Sequence, residues 1–466
     1  MEPEKRTNIS VALVFGLVSV LLVSIEADEP GEKTRADLYL RSAQAEARLH
    51  AASIAALGDE AEHKLPDPFA DAEALMAGIQ GVGEEARGEL LYGMAVAAAA
   101  ADQPGTARVL ASRSGATPEA LRPLRFAWQP DSAPPEDLPD LEAAIGGAAL
   151  TPWSQDRLRA LWFQRTGDEK GAEKLRSTQT AADRTWLHEL GGLFVLLILL
   201  GLVGLAILAM HRRLIDRWSE AHPDYLQARF RTTPWETLTL FLLWFIGSQA
   251  GGAALGHLLL DMVPKGALIL LVYLFSAALG LAMVYIFGLQ GFRRDAATNF
   301  DTSRLRDLLI KVNLGRGDLT RRAVLWGLAG FAAALPLVWG LSLLSLVLVG
   351  GGTHPAIPIF IGSDSTLDRI LLLGTICLLA PIFEEFLFRG FLLNRFNKML
   401  GIYSGTALSA LVFAAIHLSL GSFLPLMGLG IILAIVARHS GSLWASVVTH
   451  ALWNLMNVVF LQLLYR

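Results

Sequence analysis

The sequence predicts an all-α protein: a polytopic membrane helix bundle of about eight core spans, preceded by an N-terminal anchor and a soluble, Ala-rich helical domain. Three observations carry this expectation. Of the 466 residues, 53% are hydrophobic and only 18% charged, a balance too apolar for a soluble chain of this length. Beyond about residue 187 the apolar residues gather into successive runs long enough to cross a bilayer. Lys and Arg recur in alternate connections between those runs, the pattern of a chain threaded back and forth through a membrane.

The first segment, residues 1–27, places Lys5 and Arg6 ahead of an apolar run over 9–25. This is the layout of a signal peptide or a signal anchor. The run is long for a cleaved peptide and no clean A-x-A site follows, which favours an uncleaved anchor. Residues 28–186 form the soluble part. They are Ala-rich with helical periodicity, broken by Pro and Gly turns. The stretch "RLRALWFQRTGDEKGAEKLRSTQ" reads as helix, turn at Gly167, helix. It resembles a tetratricopeptide-type hairpin, but no fixed period recurs and an irregular helical domain is the expectation. The proline-rich "AWQPDSAPPEDLPDLE" reads as an internal linker. No catalytic constellation occurs in this part, and nothing in it names a partner.

The remaining apolar runs cover 190–210, 237–260, 266–291, 323–350, 369–392, 404–420, 423–437 and 441–462, the seventh being short. Residues 187–364 supply accessory spans, and residues 365–466 hold the polar groups discussed below. Arg212, Arg213, Arg217, Arg229 and Arg231 share one connection; a second cluster runs from Arg293 to Arg322; Arg395, Lys398 and Arg438 occupy later alternate connections. All these fall on one side, the cytoplasmic one, together with Lys5 and Arg6. Residues 28–186 then lie on the other side of a cell (inner) membrane. The formal net charge of −4 and the lack of a basic, aromatic-interleaved patch exclude nucleic acid as a partner. A single cysteine, Cys377, excludes an intrachain disulfide and any CxxC-type metal site.

Within this apolar frame "APIFEEFLFRGFLLNRF" is exceptional, because it carries two adjacent acids and an arginine. Ionisable groups inside a span cost a few kcal/mol each and are normally paired. On a helix Glu385 and Arg389 are four apart and stack on one face, whereas Glu384 points about 100° away. The division of labour this suggests is one acid held by arginine and the other left to accept a proton. Pro381 removes a helical donor just before the acids and predicts a kink. The bland alternative is a set of charges marking the cytoplasmic end of a span. Further along, "LVFAAIHLSL" puts His417 in an apolar span, one turn after Phe413. "SVVTHALWNLMNVVF" sets His450, Asn454 and Asn457 along one face of the last span. Each alone reads as interhelical hydrogen bonding. Together on three spans, these residue types can activate a water or bind a metal.

The ordered motifs "EEFLFR" (384–389), "FAAIH" (413–417) and "HALWN" (450–454) resemble the CPBP intramembrane proteases, which include CAAX prenyl proteases and bacteriocin-processing or immunity-like proteins of the abortive-infection type. The resemblance covers about residues 368–462 and stops short of the 28–186 domain. It implies an intramembrane endopeptidase whose cavity opens to the cytoplasm. Its substrate is a membrane-associated peptide or membrane protein, and the bilayer itself is a partner. By the same match Glu384 with His417 activates the attacking water. His450 and Asn454 stabilise the oxyanion or help hold a metal, and Arg389 orients Glu385. The resemblance leaves a metallo- and a glutamate-type mechanism both open. For a metal such as zinc the candidate ligands are Glu384, His417 and His450, with an open fourth position. No H-E-x-x-H and no G-x-S-x-G is present. Two other classes fit the same residues: an inactive immunity or scaffold protein that keeps the bundle, and a proton-coupled transporter. No internal repeat supports the last.

Overall fold

The computed structural model describes residues 84–114, 119–129, 131–146, 150–211, 234–259, 262–284, 321–349 and 365–464, with 40, 44–45, 47–49, 51–52 and 213 besides. The expected N-terminal anchor and most of the basic connections lie outside the described residues. The structure is 90% helical and contains no strand among those residues. The chain divides into two compact units, one holding Leu196–Val458 and the other Glu29–Val195 together with Val459–Arg466.

In the second of these, α1 (Glu84–Ala100), α2 (Pro104–Arg113), a 3-10 turn (Glu119–Ala127), α3 (Leu138–Gly146) and α4 (Pro152–Thr166) enclose an apolar core. The run Ala95–Ala100 is wholly buried, small side chains letting neighbouring helices approach closely. Trp128 is buried edge-on against Tyr92, with ring centroids 5.4 Å apart. Arg157 donates from Nε to the Ala100 carbonyl at 2.8 Å, satisfying one of the acceptors that the end of α1 leaves open. Arg159 grips Glu142 through two bonds of 2.6 and 2.7 Å, tying α4 to α3 and holding that carboxyl below the usual glutamate range. The predicted turn at Gly167 is present: this residue has φ +86° and ends α4, and α5 (Glu169–Ala209) begins two residues later. The proline-rich stretch is not a linker. Trp128 and Leu141 belong to the core, and the Pro135 carbonyl accepts from Trp162 Nε1 at 2.9 Å. Residues 459–466 belong to this unit as well: Trp186 Nε1 donates to the Leu463 carbonyl at 2.6 Å, and Phe460 packs beside Trp186 and Leu190.

Seven helices among the described residues are long and apolar enough to cross a membrane, making this a multi-pass membrane protein. They are α5, α6 (Pro234–Leu259), α7 (Lys265–Met283), α8 (Arg321–Val349), α9 (Thr366–Leu400), α11 (Leu420–Ser440) and α12 (Leu443–Leu464). Between α9 and α11, α10 (Ile402–Ala415) is apolar but shorter. Here the structure corrects the sequence in two places. The run 404–420 does not continue as helix, because Ile416–His417 form a turn and Leu418 takes a left-handed φ of 52°. Ser419 then caps α11, accepting from Ser422 N at 3.3 Å. The short run is therefore the sixth. The seventh starts three residues earlier than its apolar core suggests and forms a full span. Pro425 inside α11 has no N–H for the Gly421 carbonyl, and Ser345 of α8 donates to that oxygen at 2.7 Å instead.

Candidate active site

Helix α9 carries the acid pair and is not uniformly α. A π turn (Thr375–Leu379) precedes a short α segment (Ala380–Glu385), and a second π segment (Phe386–Leu392) follows it. Pro381 opens the α segment. The widened turn before it is the local adjustment by which a helix absorbs a missing donor inside a membrane. The predicted disturbance thus takes the form of π turns on both sides of the acids.

Glu385 and Arg389 are both 0% exposed, and Arg389 Nη1 donates to Glu385 Oε1 at 2.9 Å. The i,i+4 spacing delivers this pair even across the change of helical register. Arg389 Nη2 donates to the Gly430 carbonyl of α11 at 3.1 Å, and its guanidinium lies over the Phe413 ring at 4.5 Å. Gly430 makes this contact possible. A Cβ there would stand 3.0 Å from both Cα and Cβ of Ala410, so only glycine lets α10 and α11 approach so closely.

His450, buried on α12, reaches the same carboxylate: its Nδ1 stands 3.0 Å from Glu385 Oε1. A carboxylate only accepts, so Nδ1 carries the proton and Nε2 is the basic nitrogen of the neutral ring. That Nε2 lies 3.9 Å from Glu384 Oε2. His417 is fixed in the same tautomer, because its Nδ1 meets the Phe413 carbonyl at 2.8 Å. Phe413 links the two histidines, edge-on to His417 at 5.0 Å and to His450 at 5.8 Å between centroids. His417 therefore sits in the turn after α10 rather than within a span, and it joins the cluster through a shared phenylalanine.

Glu384 differs from its neighbour in exposure, although Glu385 too has a buried Oε2 with no hydrogen-bond partner among the described residues. The Glu384 side chain is 16% exposed, and its buried Oε2 has no hydrogen-bond partner among the described residues. Asn454 is tied elsewhere, donating from Nδ2 to the Ile376 carbonyl at 2.8 Å, within the first π turn. Asn457 turns back onto the Trp453 carbonyl of its own helix. Glu384, Glu385, Arg389 and His450 thus form one contiguous set, and His417 and Asn454 flank it.

For a metal, Glu384 and His450 are donors of the right kind, with Nδ1 of the histidine held by a carboxylate as metal-binding imidazoles usually are. No group of three or more His, Cys, Asp or Glu among the described residues is arranged to hold one. Among the described residues the donors do not close into a three-ligand cradle.

The residues that sequence reasoning missed are the Gly430 carbonyl, the Ile376 carbonyl and the role of Phe413 as the wall between two histidines. Only Phe413 had a signal, its place four residues before His417.

Fold and site together define a multi-pass membrane protein with a buried carboxylate–imidazole centre. Residues 366–456 match the family model described as Rce1-like, type II CAAX prenyl endopeptidase Rce1-like. This segment is thus similar to the CPBP-type intramembrane proteases, and the match contains every residue of the centre just described. Helices α5 to α8 and the Glu29–Val195 unit lie outside the match. No curated protein and no solved structure matches the chain.

Proposed function

We propose that the protein is a glutamate-dependent intramembrane endopeptidase that hydrolyses peptide bonds of membrane-associated peptides or proteins, with Glu384 as general base. The observation that carries this reading is the contrast between the two acids. Glu385 spends Oε1 on Arg389 and His450, whereas Glu384 makes no such bond and faces a basic imidazole nitrogen 3.9 Å away. A water bonded to both Glu384 Oε2 and His450 Nε2 requires these two atoms to open from their buried arrangement, as substrate entry would do.

In the reaction Glu384 Oε2 takes a proton from this water as its oxygen bonds to the scissile carbonyl carbon. The carbonyl oxygen becomes an oxyanion, with Asn454, whose Nδ2 keeps a second hydrogen beyond the one given to Ile376, as the flanking donor. The proton held by Glu384 then passes to the amide nitrogen, the C–N bond breaks, and a carboxylic acid and an amine leave, the acid's proton passing to the amine to give carboxylate and ammonium. Arg389 and Glu385 take no proton in this scheme. They hold His450 in one tautomer and orientation, and positioned geometry of this kind is worth orders of magnitude in rate.

The protein lies in the cell (inner) membrane with residues 28–186 outside the cytoplasm, on the strength of the alternating basic connections.

The test is cleavage by the purified full-length protein in a bilayer mimetic. Two peptides are compared, a farnesylated one ending in a CAAX sequence and a single-span peptide without a prenyl group. Release of a new carboxy terminus from either supports the endopeptidase reading. No cleavage of either, with proton-driven uptake into vesicles, would favour the transporter.

A further inference from the structure

Helices α6 and α7 lie outside the family match, yet they bracket the turn that carries Glu384. The ring of Phe383, the residue before it, packs against Trp244 of α6 at 5.8 Å and edge-on against Tyr273 of α7 at 6.1 Å between centroids. Gly280 of α7 makes room for this. A Cβ there would come within 2.7 Å of the Phe383 ring and 2.9 Å of Trp244 Nε1. Trp244 Nε1 also donates to the Ser276 carbonyl at 2.9 Å, locking α6 and α7 into one pair.

Tyr273 adds a polar contact to the aromatic one. Its hydroxyl donates to the Ala380 carbonyl at 3.3 Å, and its phenol lies within electrostatic range of Glu384. Ala380 begins the short α segment between the two π turns and lies one helical turn before Glu384. An α segment of six residues between π turns has little support of its own, so a donor fixed from another helix sets where its carbonyls point. Packing on Phe383 requires only the ring. The hydroxyl is the part of Tyr273 that hydrogen-bonds the backbone of the acid-bearing segment.

We propose that Tyr273 is a positioning residue for Glu384, which makes α6 and α7 working parts of the catalytic centre rather than accessory spans. This rests on Glu384 being the general base. The test is steady-state cleavage of the single-span peptide by the full-length protein carrying Tyr273→Phe, which keeps the ring and removes one oxygen. Glu384→Gln and Ser248→Ala are measured beside it; Ser248 is a buried serine of α6 whose hydroxyl bonds only its own helix, at the Phe245 carbonyl. The expected result is a kcat about tenfold lower for Tyr273→Phe, with KM and the thermal unfolding midpoint unchanged and Ser248→Ala like wild type. Three results overturn it: an unchanged kcat, a fall in kcat accompanied by a lowered unfolding midpoint, or an equal fall in Ser248→Ala. If Glu384→Gln is inactive while Tyr273→Phe is normal, the role of Tyr273 alone fails. If Glu384→Gln cleaves normally, the general-base reading fails first.

Discussion

His450 and Glu385 share a 3.0 Å hydrogen bond between Nδ1 and Oε1, and this one contact decides which imidazole nitrogen is left to accept. It places the ring proton on the acid that already holds Arg389 and leaves Nε2 toward Glu384, at 3.9 Å. Two adjacent glutamates thereby meet different nitrogens of the same histidine.

The Nδ1 contact and the Nε2 function are separable. In His450→Asn the amide nitrogen takes the place of Nδ1 and keeps a donor on Glu385, while nothing replaces Nε2. This variant will fold with a near-normal unfolding midpoint and lose turnover by about a hundredfold or more. Thermal unfolding and cleavage measured on the same preparation check it.

Arg389 is fully buried with its carboxylate, so its loss strands a charge. Arg389→Ala will destabilise the membrane unit by about 3–5 kcal/mol, seen as loss of monodisperse protein on size-exclusion chromatography in mild detergent. Arg389→Lys will not restore it, because one ammonium cannot serve both Glu385 Oε1 and the Gly430 carbonyl in the geometry of the fork. Recovery of stable, active protein with lysine would show that charge alone suffices.

Metal dependence follows from the donor arrangement. With no three-ligand group among the described residues, prolonged treatment with a strong chelator will leave cleavage unchanged. Activity lost to chelation and restored by added zinc would reinstate the ligand set Glu384, His417 and His450.

Topology is open to labelling because Cys377 is the sole cysteine. In a Cys377→Ser background, an exposed cysteine introduced by Ser177→Cys on α5 will react with a membrane-impermeant maleimide in intact spheroplasts. Reaction only after the membrane is opened would invert the whole chain, including the side to which the active site opens.

The legible parts of this protein were those set by local spacing. The i,i+4 interval joins Arg389 to Glu385, Gly167 ends a helix, and the apolar runs mark the spans. Contacts that depend on how distant helices meet had no local signature. The carbonyl of Gly430 lies far along the chain from Arg389, and that of Ile376 far from Asn454; a backbone acceptor looks the same at every residue. The run over 404–420 concealed a helix end because Ile416, Leu418 and Leu420 are as apolar as the helix before them. Only the backbone reversal at Leu418 reveals that His417 stands in a turn. Tyr273 was invisible for a related reason, since one tyrosine in a lipid-facing sequence carries no mark of the helix it meets.

The central claim is that Glu384 removes the proton from the attacking water, and its most direct test is cleavage of the single-span peptide by Glu384→Gln. Glutamine keeps the shape of the side chain and loses the basic oxygen, so the variant will fold and bind as the wild type does. Its turnover will fall by about 10²–10⁴-fold or below detection. Glu384→Gln that folds normally and cleaves at the wild-type rate would contradict the account at its foundation.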